Sequence, residues 1–239
     1  MALVTHQQER KRTIRSFVRR AGRLTPAQKR ALRELWPAFG ITFSDKPLDF
    51  NSIFGRTAPR VLEIGFGNGE TLVKQAAATP LMDFIGIEVH EPGVGHCLLY
   101  TKAAKISNLR LINHDAIDVM RHQISDASLK RINLYFPDPW PKKKHIKRRL
   151  IKPEFIKQLA QKLSSEGTAY LATDSERYAH EMLEYFNAET LFQNLNSQQG
   201  FLKERINLPK TKYEKNFINA GEKIFYLEYM RLGTISSAT

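Results

Sequence analysis

One cysteine, Cys97, among 239 residues excludes a disulfide framework within the chain and leaves a zinc site without its usual thiolates. No apolar run approaches the roughly 18 residues of a membrane-spanning helix. The N-terminal stretch is polar and then strongly basic, without the apolar segment of a secretory signal, so cytoplasmic residence is the simplest expectation. Internal repeats and low-complexity tracts are also missing, which sets aside solenoids and arrays. Acidic side chains are the scarce charge: 24 Asp and Glu stand against 37 Lys and Arg. The formal net charge of +13 is more than solubility requires and implies an acidic macromolecular partner.

What is present divides at about residue 60. The first stretch carries Arg10, Lys11, Arg12, Arg15, Arg19, Arg20 and Arg23 with few apolar residues between them, as expected of an arm that an anionic surface orders. Thr25, Pro26 and Gln28 then form a helix start, with an N-cap, a first-turn proline and a capping-box partner. The helix is expected to run to about Trp36 and stop before Pro37, with Leu32, Leu35 and Trp36 on its apolar face. Residues 1–59 thus read as a basic arm and helix, and 60–239 as the main domain. From Arg60 onward, apolar runs at Val61–Ile64, Phe84–Glu88, Leu109–Asn113, Ile132–Phe136 and Thr168–Thr173 alternate with amphipathic segments. That βαβ series predicts a doubly wound, mostly parallel α/β sheet. Leu191–Leu195 and Ile224–Met230 bring the expected strands to seven, with the last antiparallel. A long polar segment, Asn196–Lys223, separates those two strands, and segments of that length usually serve function or are disordered.

Directly after the first parallel strand comes Gly65-Phe66-Gly67-Asn68-Gly69-Glu70. Glycines there let a ligand approach backbone at a helix N-terminus. Their G-x-G-x-G spacing differs from the dinucleotide fingerprint, whose third glycine falls where this chain has Glu70. Glu63, just before the loop, would repel a pyrophosphate but suits an ammonium group. Glu88 ends the second strand, where a carboxylate can accept from ribose hydroxyls, and Asp115 follows the third, within reach of an adenine amino group. Three acids at consecutive strand ends point to S-adenosylmethionine, although each acid alone is also suited to a helix cap or a solvated strand end.

The stretch Leu134–Arg149, LYFPDPWPKKKHIKRR, sets one carboxylate in a frame of prolines and aromatics and follows it with a cationic run. Pro137 and Pro139 restrict their own backbone and that of the preceding residues, which limits where Asp138 can wander. Tyr135, Phe136 and Trp140 offer faces for a base, and Lys142, Lys143, Lys144, Lys147, Arg148 and Arg149 can neutralise phosphates. The alternative for the lysines alone is a solvated loop.

Taken in order, Arg15-Ser16-Phe17-Val18-Arg19-Arg20, the Leu62–Gly67 loop, Gly86-Ile87-Glu88-Val89-His90, Phe136-Pro137-Asp138-Pro139-Trp140, Ala172-Thr173-Asp174 and Thr211-Lys212-Tyr213-Glu214 resemble the bacterial tRNA (guanine-N7)-methyltransferases over nearly the whole chain. The resemblance implies a class I, Rossmann-like methyltransferase domain that methylates guanine 46 of the tRNA variable loop. Cofactor contacts are implied at Glu63, Gly65, Gly67, Glu88, Asp115 and Asp138, with Asp138 also the catalytic position. Substrate contacts are implied at Lys142, Asp174, Thr211, Lys212, Tyr213 and Glu214, and RNA contacts at Lys144, His145, Lys147, Arg148 and Arg149. Pro141-Lys142-Lys143-Lys144 departs from the family pattern, in which a histidine often follows the tryptophan and lysines are fewer. No metal is expected, since His90, His96, His114 and His145 lack ligand spacing. A monomer or homodimer is anticipated.

The chemistry suits these residues. Guanine N7 has a free lone pair and no proton to lose, so positioning is the main demand. Transfer leaves positive charge on the ring, which a carboxylate such as Asp138 would offset while accepting from N1–H and the exocyclic amine. Asp174 could share guanine recognition or cap the helix beginning near Glu176. Rival readings are methylation of another RNA base, of DNA or of a protein, an inactive RNA-binding relative, and, least suited to the glycine spacing, a nicotinamide dehydrogenase.

Overall fold

Neighbouring residues of each central strand enter opposite cores, and this alternation is what builds the layers. The computed structural model describes residues 22–196, 200–203, 206 and 208–233. Val61, Phe84 and Leu111 join one apolar cluster, while their chain neighbours Leu62, Ile85 and Ile112 join the other, the period-two consequence of a pleated strand. A sheet covered by helices on both faces needs strands apolar throughout, and β3 (Asp83–Ile87) is buried at all five positions. The other strands are β1 (Gly40–Ile41), β2 (Arg60–Ile64), β4 (Leu109–Ile112), β5 (Leu129–Tyr135), β6 (Leu163–Thr173), β7 (Phe192–Asn194) and β8 (Phe225–Arg231). They lie in the order β1-β4-β3-β2-β5-β6-β8-β7. Pairings from β1 to β6 are parallel, and β8 runs antiparallel to both β6 and β7.

One face of the sheet is covered by α1 (Pro26–Phe39), α3 (Glu70–Ala78) and α4 (Glu91–Ala104), whose apolar residues form one cluster with Val61 and Phe84. The other carries α5 (Ala116–His122), α6 (Pro153–Lys162) and α7 (Glu176–Asn187), together with the short α2 (Phe50–Phe54). The chain reverses direction along the sheet on either side of β2, and the carboxyl ends of β2 to β6 therefore open onto one crevice, where ligands of such folds bind.

Two expectations need correction. Among the described residues the sheet has eight strands rather than seven, because Gly40–Ile41 pairs with Leu111–Ile112 at the edge; two residues are too few to announce themselves by alternation. Helix α1 does not stop before Pro37 but continues to Phe39. The proline removes only the bond its N–H would make one turn back, and the end is closed by the Gly40 N–H donating to the Trp36 carbonyl. Within the polar segment Asn196–Lys223 lies a helix, α8 (Lys212–Asn219). The capping box of Thr25 and Gln28 forms as expected. Arg10 to Arg20, with the Arg15–Arg20 stretch, fall outside the described residues.

Candidate active site

Gly65, Gly67 and Gly69 all take positive φ, at 76°, 60° and 77°, a region side chains strain to adopt. An added Cβ at Gly65 or Gly67 would meet nothing within 4 Å, so glycine serves the turn there and leaves open space above the loop. Gly69 caps α3, its N–H donating to the Phe66 carbonyl at 3.0 Å, and the Gly65 N–H donates to the Ile87 carbonyl at 2.8 Å. From the end of β3, Glu88 reaches across to the same loop. Its Oε2 accepts from the Gly67 N–H at 2.8 Å, and its Oε1 from the N–H groups of Val89 and His90 at 2.7 and 2.9 Å. Three of the roughly four acceptor positions of an ionised carboxylate are thereby used, leaving about one for a ribose hydroxyl.

Glu63 lies on β2 in register with Asn133 of β5, almost fully buried beneath the loop. Its charge helps push the Cys97 thiol up, after burial, which is the larger cause. A carboxylate buried two residues before the glycine turn is a fitting seat for an ammonium group. Asp115 is the N-cap of α5, its Oδ1 accepting from the Ile117 N–H at 3.0 Å. The cap reading holds for this acid, and any adenine contact must coexist with it.

On the acceptor side, Phe136 and Trp140 bracket the Pro-Asp-Pro sequence with φ of 49° and 42°. Non-glycine residues held in that region cost of order 1–3 kcal/mol each and persist only where surroundings over-determine them. The Phe136 N–H donates to the Ala172 carbonyl at 2.8 Å. The Phe136 ring lies 5.4 Å from that of Tyr213 and 6.3 Å from that of Phe217. Asp138, at the top of this loop, is exposed, and Asp174, at the end of the adjacent strand β6, is half-buried. Neither carboxylate has a hydrogen bond or ion pair among the described residues. Asp174 is not the cap of α7; that position belongs to Ser175, whose side chain makes no cap bond.

Helix α8 lies over this loop. Thr211 and Glu214 form a reciprocal capping box: the Thr211 hydroxyl accepts from the Glu214 N–H, and Glu214 Oε2 accepts from the Thr211 N–H, both at 3.0 Å. Glu214 is 0% exposed, and its Oε1 accepts from the Tyr226 hydroxyl at 2.8 Å. Of the four residues expected to meet substrate here, two therefore have a local structural task. Tyr213 is 56% exposed over Phe136 and available to a ligand. The Glu70 carboxyl is held low by Lys74 first and in smaller measure by the charges of Lys215 and Lys212.

The cationic run folds into a 3₁₀ turn, Lys143–Arg148, with Lys142, Lys144 and Lys147 exposed. Arg148 lies 5.1 Å above the Trp140 ring and His145 stands edge-on to it at 5.7 Å. Desolvation lowers the His145 pKa, and the neighbouring Arg148, Lys144, Lys142 and Lys147 lower it further. Arg149, expected at the RNA, is placed inward. It is 2% exposed, donates from Nε to the Pro139 carbonyl at 2.7 Å, pairs with Glu181 and lies 4.6 Å from the Tyr178 ring centre. Beside the turn opens a cavity of about 190 Å³ with Arg121, Lys147, Arg148 and Lys152 around apolar Ile117 and Phe155. Arg121 is remote from the run in the chain and meets it only in the fold, whereas Lys152 follows Arg149 by three residues. Among the described residues, no group of three or more His, Cys, Asp or Glu is placed to hold a metal, and no helix is long and apolar enough to cross a membrane.

Comparison with known proteins agrees with this geometry. Residues 57–227 match the methyltransferase family model Methyltransf_4. The chain is 48% identical over 218 residues to a tRNA (guanine-N(7)-)-methyltransferase of Idiomarina loihiensis, covering 91% of this chain and 89% of that protein. It is 48% identical over 223 residues to one of Alkalilimnicola ehrlichii, covering 92% and 94%. Among solved structures, an rRNA methylase from Streptococcus thermophilus shares the fold at a TM-score of 0.50 and 16% identity, over 74% of this chain and 88% of that one.

Proposed function

The chain belongs to the tRNA (guanine-N(7)-)-methyltransferase family, and from that premise we propose how its crevice is divided between cofactor, guanine and RNA. The enzyme transfers a methyl group from S-adenosylmethionine to N7 of guanine in tRNA. The proposed acceptor is position 46 of the variable loop, and the proposed setting is the cytoplasm, with the enzyme a monomer or homodimer.

The open space over Gly65 and Gly67 and the buried Glu63 beneath fit the cofactor. In this reading Glu63 holds the ammonium group, Glu88 a ribose hydroxyl, and Asp115 the adenine amino group, with Asp138 at the cofactor's reactive end. When bound, S-adenosylmethionine supplies a methyl group on positively charged sulfur. No base is needed, because guanine N7 offers its lone pair without losing a proton. Asp138 accepts from guanine N1–H and the exocyclic amine, which aims N7 at the methyl group and offsets the positive charge the ring acquires. Asp174 shares that recognition from the next strand end, Lys142 and Lys212 neutralise phosphates at the mouth, and Tyr213 covers the base. Lys144, His145, Lys147 and Arg148 meet the RNA backbone together with Arg121 and Lys152, and the basic N-terminal arm extends that contact.

One observation carries the acceptor assignment: Asp138 and Asp174 are carboxylates without partners among the described residues, at neighbouring carboxyl ends of a parallel sheet, beside an open glycine loop. Incubation with labelled S-adenosylmethionine and unmodified tRNA, followed by mapping of the methylated base, tests it. Label at guanine 46 is the expected result; label at another base or position overturns the acceptor assignment.

A further inference from the structure

The strained Asp138 loop needs a restraint, and prolines alone do not supply one: they limit φ at Pro137 and Pro139 but leave Phe136 and Trp140 at φ of 49° and 42°. Arg149 is the buried group that reaches it. Its Nε donates to the Pro139 carbonyl, the residue directly after Asp138, at 2.7 Å. The other side of the same guanidinium pairs with Glu181 of α7, the helix that starts two residues after Asp174. Tyr178, one turn earlier on α7, presents its ring at 4.6 Å and is itself fixed by accepting from the Ile151 N–H at 3.1 Å. A single planar cation thus bridges the two chain segments that carry the free carboxylates.

We propose that Arg149 is a positioning residue for methyl transfer, locking the Asp138 loop to the helix behind Asp174, and that it takes no phosphate although it stands within a phosphate-binding run. The proposal rests on the reading of Asp138 as the guanine-facing carboxylate. Lysine cannot replace it, because an ammonium is a point charge without the fork that satisfies the carbonyl and Glu181 in one plane. A lysine would serve a phosphate well enough.

Arg149→Lys and Glu181→Gln are therefore the telling variants, assayed in the full chain below the melting temperature of each. Single-turnover methylation at saturating S-adenosylmethionine and tRNA should fall on the order of 10- to 100-fold in Arg149→Lys, as expected when reacting groups are misplaced by about an ångström. Glu181→Gln should fall in the same direction by less. The double variant should be no slower than Arg149→Lys alone, since both break one clamp. The slope of log tRNA affinity against log salt should stay as in the parent. An undiminished rate in Arg149→Lys would overturn the proposal, because lysine keeps a phosphate contact but loses the planar fork. So would a lowered melting temperature with an unchanged rate, which marks a merely structural pair. If Arg149→Lys fails to fold, Glu181→Gln decides alone, and a parental rate there is fatal. Asp138→Asn separates the premise: a normal rate in that variant removes the Asp138 reading, whereas a slow Asp138→Asn beside a normal Arg149→Lys removes only the clamp.

Discussion

Glu88 Oε2 accepts from the Gly67 N–H at 2.8 Å, so the carboxylate assigned to the cofactor ribose also holds the glycine loop in shape. Loss of the carboxylate should therefore act twice, removing a charge-assisted contact and releasing a backbone segment at positive φ. Glu88→Ala is expected to weaken S-adenosylmethionine binding by at least on the order of 1.5–3 kcal/mol. The tRNA affinity should change little, because Glu88 stands on the cofactor side of the crevice. Titration calorimetry with each ligand checks both parts, and unchanged cofactor affinity removes Glu88 from the site.

Asp138 has no hydrogen bond or ion pair to lose among the described residues, so Asp138→Asn should leave the fold and melting temperature as they are. Turnover should fall roughly 10²–10³-fold if the charge offsets the cationic guanine, the range seen when one electrostatic stabiliser is removed from a transition state. Rates near the parent's in single-turnover assays would reassign Asp138 to positioning that an amide performs equally well.

The parallel core was legible because its strands are buried on both faces and so spell out continuous apolar runs, and the glycine loop because only a turn at positive φ needs glycines at that spacing. Burial of a charged side chain leaves no such mark. Arg149 follows Arg148 in a run that looks uniformly solvated, yet only Arg148 stays at the surface, because the chain turns inward at Leu150 toward the buried Ile151. The Thr-x-x-Glu spacing of residues 211 to 214 carries a capping-box signature, which competes with the substrate role that the family resemblance implies there. Thr25 and Gln28 announce their cap more plainly because Pro26 stands beside them. Strand β1 was illegible for want of length, and the Arg121 contribution to the basic cavity for want of any sequence proximity.

Removing the buried end of the Thr211 capping box should loosen α8 without disturbing the sheet. Glu214→Ala leaves the Tyr226 hydroxyl and the Thr211 N–H without that acceptor, at about 1–3 kcal/mol of local stability. Amide exchange of Lys212–Asn219 should quicken while β2 to β6 keep their protection, and KM for tRNA should rise because Tyr213 is no longer held over Phe136. Uniform quickening across the domain would show instead that Glu214 supports the global fold.

Protonation of His145 should favour RNA. Its pKa is lowered in the free protein, by desolvation first and then by Arg148, Lys144, Lys142 and Lys147, so it is largely neutral at neutral pH and gains its proton only below its ordinary range. Phosphates of a bound tRNA oppose that cationic field and favour the charged imidazole, which requires proton uptake on binding. Affinity for tRNA should therefore rise as pH falls from about 7.5 toward 5.5, a window around and below the ordinary histidine pKa of about 6.5. His145→Gln should show a flatter profile, with its S-adenosylmethionine affinity unchanged. The lysines and arginines stay charged throughout this window, so Lys147→Ala/Arg148→Ala should still show a pH dependence, moved to higher pH because two of the cations that lower the His145 pKa are gone, while its salt slope flattens by about 1–2 units. Binding isotherms of these two variants and the parent across pH and salt check the division: an identical pH profile in His145→Gln would take the imidazole out of the RNA interface, and an unchanged salt slope in the double variant would leave the turn a solvated face.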